Sequence, residues 1–210
     1  MRRKALAIFL FAILLSVPAS ANTPPYLLSP EEIARYRTLE GRSIYDAFRG
    51  FQGESPLGRA VRWIVGRRGG KYVRSKWSVH EAFWLLLRDQ VSIVAIDQGR
   101  FLLGWGCLGD CSEKSAVLAD LQTGQVALAL LHFYNAAGNL IGAQTTIFMM
   151  ACADAAFRAA AREQFRRWAP EGDNDRVQIL TTRCDASPPP QPTERVRAVQ
   201  KMIARQDGRR

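Results

Sequence analysis

Four cysteines and two histidines are the residues of this chain best suited to chemistry, and their spacing narrows what that chemistry is. Cys107-Leu108-Gly109-Asp110-Cys111 places two thiols four positions apart, directly behind Gly104-Trp105-Gly106. Joined, they close a small ring that presents Leu108, Gly109 and Asp110 with little conformational entropy left to lose on binding. As a metal site the pattern is poor. C-x3-C has no second close pair, and His80 and His132 are the only histidines. As a redox pair it is also poor, because thioredoxin-like chemistry expects C-x-x-C at a helix N-terminus. Asp110 and Glu113 are near enough for acid–base work, but any exposed loop carries such carboxylates. His132 lies in an apolar strand, and His80 follows a potential helix cap. There is no G-x-S-x-G, no H-E-x-x-H and no phosphate-binding glycine loop. The expectation is a protein with no catalytic residues, no metal and no cofactor, whose active element is a loop.

Whether the thiols pair depends on the compartment. Met1-Arg2-Arg3-Lys4 is basic, Ala5 to Val17 is almost wholly apolar, and Pro18 precedes Ala19-Ser20-Ala21. This is the three-part layout of a secretory signal peptide over residues 1–21, cleaved after Ala21. The apolar run is short for a membrane span. Export to the periplasm, an oxidising space, is therefore expected, and all four cysteines would be paired there. Four cysteines allow three pairings. The simplest joins Cys107 to Cys111 and Cys152 to Cys184.

The chain carries a formal net charge of +10; losing Arg2, Arg3 and Lys4 with the leader lowers it by three, to +7. The excess is concentrated in residues 193–210 and in Arg59, Arg62, Arg67, Arg68, Lys71, Arg74 and Lys76. Basic surfaces attract anionic lipid, polymer or nucleic acid. Export argues against nucleic acid, and an anionic envelope surface is the partner the tail would meet. A solvated basic surface is the plainer explanation.

Around these residues the chain reads as one domain, 22–186, followed by a Pro-rich linker and a basic C-terminal helix or tail, 187–210. Ser29-Pro30-Glu31-Glu32 carries the signals of a helix start, with a cap, a proline at the first position and a capping-box glutamate. A second short helix is expected over residues 43–50, and a short strand over 61–65. Residues 78–89 fit either a helix or a strand. The middle is a β-meander: 91–96, a turn at Asp97-Gln98-Gly99-Arg100, 101–105, the cysteine loop, 115–120, a turn at 122–124, 126–134, a turn at 135–139, and 140–149. Short turns predict antiparallel neighbours. An alanine-rich helix over 151–169 follows, then a short strand over 177–182. Ser187-Pro188-Pro189-Pro190 is a stiff extended linker. The helix beyond it, 193–206, has an apolar face of Val196, Val199, Met202 and Ile203, and is expected to be disordered or loosely docked.

An apolar hairpin running into Gly104-Trp105-Gly106-Cys107, then a tiny cysteine-closed loop, a strand, a glycine turn and another strand resembles the inhibitor of vertebrate lysozyme (Ivy) family across residues 44–133. That resemblance implies an α+β sandwich around a five-stranded antiparallel sheet flanked by helices, often dimeric. It also implies periplasmic residence and a protruding loop that enters the lysozyme cleft. In the family the loop reads C-K-P-H-D-C. Here it is one residue shorter, keeps the aspartate as Asp110, and lacks the histidine, lysine and proline. Lysozyme works through two carboxyl groups flanking the scissile bond. A loop aspartate facing them would be repelled where a histidine would donate.

The function expected is that of an exported binding protein, presenting Leu108, Gly109 and Asp110 to a lysozyme or other muramidase. The alternative is an envelope-associated protein of structural type, held by its basic tail and without inhibitor activity.

Overall fold

In the computed structural model the described residues are 23–48, 54–66, 68–70, 72, 77–87, 90–170 and 177–205. The expected leader and Arg67, Lys71, Arg74 and Lys76 lie outside them. The first described helix, α1 (Pro30–Tyr36), starts as its sequence predicts. Ser29 Oγ accepts from Glu32 N, and the Glu32 carboxylate accepts from Ser29 N at 2.8 Å. A 3₁₀ turn, Arg37–Leu39, and α2 (Ile44–Ala47) follow.

The segment expected as a strand at 61–65 is instead the end of a helix, α3 (Pro56–Val65). Ser55 caps it, accepting from Gly58 N at 3.0 Å, and Pro56 takes the first turn. Leu57, Ala60, Val61, Ile64 and Val65 are all buried. Their i, i+3, i+4, i+7, i+8 spacing is one helical face, and tertiary burial outweighs the β-branched residues' strand preference. The ambiguous segment is also a helix, α4 (Val79–Leu86), opened by a Ser78–Glu81 capping box.

Among the described residues seven strands form one sheet: β1 (Gln90–Val91), β2 (Ala95–Asp97), β3 (Phe101–Cys107), β4 (Lys114–Asp120), β5 (Val126–Tyr134), β6 (Leu140–Met150) and β7 (Gln178–Thr182). β1 and β2 both pair with β3, so the expected strand at 91–96 is interrupted; Ser92 Oγ there accepts from Trp105 N at 2.8 Å. From β3 to β6 neighbours are antiparallel, as the short turns require. β7 runs parallel to β6. The expected five-stranded, purely antiparallel sheet is therefore corrected to a mixed seven-stranded one. The cause is α5 (Ala155–Trp168), which crosses one face and returns the chain in the direction of β6.

The result is an α+β arrangement with helices on both faces of the sheet. One face (Leu102, Val117, Leu128, Leu130, Phe148) packs against α1–α4. The other (Ala116, Leu118, Ala129, Ile147) packs against Phe157, Ala161 and Phe165 of α5. Coverage on both sides explains why β4 and β5 are buried along nearly their whole length.

The last helix, α6 (Glu194–Arg205), is docked on α4 rather than loose. Val196 and Val199 are buried, Thr193 Oγ1 donates to Glu81 Oε1 at 3.1 Å, and the Arg195 guanidinium lies 5.9 Å from the centre of the Trp77 ring. Pro189, in the linker, is buried beside Gly66 at the end of α3. Among the described residues no helix is long and apolar enough to cross a membrane.

Candidate functional site: the disulfide-closed loop

Both disulfides of the simplest pairing are present. Cys107–Cys111 has its Cα atoms 4.9 Å apart, and Cys152–Cys184 has them 6.1 Å apart. Among the described residues no cysteine is free, and no group of three His, Cys, Asp or Glu side chains could hold a metal ion.

The loop stands at one end of the sheet, between β3 and β4, where Cys107 pairs with Lys114. Its base is fixed by close packing that depends on Gly104-Trp105-Gly106. A Cβ on Gly104 would come within 2.6 Å of Ile44 Cγ1, so its absence lets α2 sit on the sheet. A Cβ on Gly106 would come within 2.9 Å of the Leu87 backbone, at the end of α4. Trp105 points the other way and packs beside the α5 face. The aromatic–glycine motif is thus a packing device that anchors the loop's first cysteine, which is itself fully buried.

The three residues inside the ring divide by role. Leu108 is half-buried and packs on the core. Gly109 and Asp110 are exposed. Gly109 adopts φ +62°, where an L side chain is strained, and Cys111 follows at +59°. Cys111 N donates to Leu108 O at 3.3 Å, and Gln90 Nε2, from β1, donates to Gly109 O at 3.0 Å. Asp110 Oδ1 accepts from Ser112 N at 3.1 Å and from Ser112 Oγ at 2.8 Å. This is the local turn that aspartate favours two residues before an amide. Asp110 therefore shapes the loop while remaining at its surface.

Neither histidine lies in the loop, and both have a ring nitrogen occupied by a donor. His80 Nε2 accepts from Trp84 Nε1 at 3.0 Å. His132 lies 2.7 Å from Tyr134 O through Nδ1 and 2.8 Å from Thr146 Oγ1 through Nε2. A carbonyl only accepts, so Nδ1 carries the proton and Nε2 accepts from the threonine hydroxyl. Burial pushes both imidazoles down to about 4; nearby Arg62 reinforces this at His80, and Tyr134 O opposes it at His132. Glu113 is buried just beyond the ring, while Asp110 is exposed.

A cleft of about 250 Å³ lies at the opposite end of the strands, between Tyr26, Val126, Met150 and Cys152, with Asp154 lining it as well. A seven-residue strand separates it from the loop, about 20 Å. The loop is thus no part of that cleft's rim. Comparison of the chain with protein-family models, with curated proteins and with solved structures returned no match.

Proposed function

We propose that this is an exported, non-catalytic binding protein that offers the Cys107–Cys111 loop to a lysozyme-like, glycan-cleaving enzyme, in the manner of the Ivy-like sandwich its central hairpin resembles. The observation that carries this reading is the construction of the loop. A disulfide, a glycine in the left-handed region and the Asp110–Ser112 turn hold two exposed residues, Gly109 and Asp110, at the end of a sheet covered on both faces. A loop ordered in advance gives up little entropy on insertion into a concave site. Because Asp110 stands where the family places its aspartate, and Gly109 rather than a histidine precedes it, contact would come through backbone amides and shape rather than an imidazole.

The test is a lysis assay with several lysozyme types and muramidases, comparing the natural protein with Cys107→Ser/Cys111→Ser. Inhibition of at least one enzyme, weakened tenfold or more by the double variant, is the expected result. No inhibition of any of them by the natural protein refutes the reading. In the rival reading, the basic tail adsorbs to an anionic surface. The apolar stripe of α6 is spent on α4, so such adsorption would rest on Arg197, Lys201 and their neighbours alone.

A further inference from the structure

The strand register places a second projecting element beside the loop. Cys107, Lys114, Leu131 and Thr145 lie in one row across β3, β4, β5 and β6. Beyond that row, on the side of the cysteine loop, β5 and β6 continue as a two-stranded arm, pairing His132 with Gln144 and Tyr134 with Leu140. Loop and arm are neighbouring hairpins, their axes two strand spacings apart, about 10 Å.

The arm is held firmly. At its root, buried His132 joins Tyr134 O to Thr146 Oγ1 across the register shift, with Tyr72 packed edge-on at 5.1 Å between ring centres. At its tip, Asn135 Oδ1 accepts from Ala137 N and Asn139 N, both at 3.0 Å, and Gly138 N donates to Asn135 O at 2.8 Å. Next to that ordered tip stands Leu140, 71% exposed, one of two large apolar side chains so exposed among the described residues. The tip contributes nothing to either core, yet a buried polar side chain is committed to fixing it.

We infer that the arm, through residues 136–140, is the second contact element for the same partner that the loop engages. The inference rests on the proposed loop function. The tip, Asn135-Ala136-Ala137-Gly138-Asn139-Leu140, has no ionisable side chain. It fits an uncharged rim with amide groups and an apolar depression for Leu140, beside the concave site that takes the loop. Two rigid prongs contacting one body bind more tightly than either does, because the second contact is intramolecular.

The test places the photo-crosslinker p-benzoylphenylalanine at Asp110, at Leu140 and, as a control, at exposed Arg166 on α5, in the full chain within the cells that make it. Adducts are identified by mass spectrometry. The expected result is one glycan-cleaving enzyme captured from both Asp110 and Leu140 and absent from Arg166. Leu140→Asp should then weaken affinity for that enzyme tenfold or more with unchanged thermal unfolding, since Leu140 lies outside the core. Capture from Asp110 alone, capture of different proteins from the two positions, or full affinity of Leu140→Asp overturns the arm and leaves the loop. Capture of one shared partner of another class sustains the arm and overturns the glycan-cleaving assignment. No adduct from either position, in the cells or with the purified enzymes of the lysis assay added, overturns both.

Discussion

At the scale of single residues, the side chains that looked chemical turn out to be geometric. Asp110 turns back to Ser112, so Asp110→Ala should cost under about 1 kcal/mol, the loss of exposed hydrogen bonds. The Ser112 amide should then exchange with solvent faster, a change that amide exchange measured by NMR would resolve. The histidines act through their neutrality. Each is depressed to about 4 by burial, below the unfolded value of about 6.5. The unfolded chain therefore binds protons first as the pH drops. The stability held by the two neutral rings is complete above pH 6.5 and is lost as the pH falls towards 4. Each ring accounts for about 3 kcal/mol of that loss at most. Urea unfolding at pH 7, 5.5 and 4.5 should show the decline, and His132→Gln should flatten it; an unaltered slope refutes the assignment. The sequence marked Cys107, Cys111 and Asp110 as a unit because spacing is local. It could not reveal that Leu108 turns to the core or that His132 fixes an arm, since both depend on what packs above the strands.

At the scale of elements, segments with local signals were legible and those defined by tertiary burial were not. The capping box at Ser29–Glu32 and the glycine turns at Gly99 and Gly124 are short-range chemistry, and α1 and the meander follow them. β5 spans Val126–Tyr134, the limits its apolar run predicts. The Ser55-Pro56 start of α3 was an equally local signal, masked by the β-branched run after it. β7 could not be assigned its direction, because parallel pairing is decided by the crossover helix between it and β6. The docking of α6 was hidden for a related reason: its apolar face is short and its partner, α4, lies more than a hundred residues earlier. That docking has a measurable weight. Val196→Asp places a charge in a buried position and should release residues 187–205 to limited proteolysis, with a loss of about 2–4 kcal/mol if the contact is part of the cooperative fold. Protease resistance equal to that of the natural protein would show that the helix is held elsewhere.

At the scale of the whole molecule, the two disulfides stand at opposite ends of one sheet and divide its needs. Cys107–Cys111 closes a separation of 4 residues, and Cys152–Cys184 one of 32. The second ties the end of β6 to the chain leaving β7, where Ala151 N donates to Thr182 O at 2.8 Å. In the chain-entropy account a closed loop near thirty residues is worth about 3–4 kcal/mol and one of five residues about 2. The shorter bridge therefore has less to give stability and, beneath exposed Gly109 and Asp110, more to give the proposed recognition. Sites a strand length apart that share no neighbours should be additive. Replacing Cys152 and Cys184 by serine should lower the urea midpoint markedly and leave partner binding through the loop within about twofold. Replacing Cys107 and Cys111 should lower the midpoint less and weaken that binding tenfold or more, and the four-serine variant should lose the sum of the two stabilities within about 0.5 kcal/mol. Coupling beyond that, or binding lost from the Cys152 side, would mean that the far end of the sheet governs the loop. The single seven-stranded layer between them would then be transmitting strain rather than separating a staple from a probe.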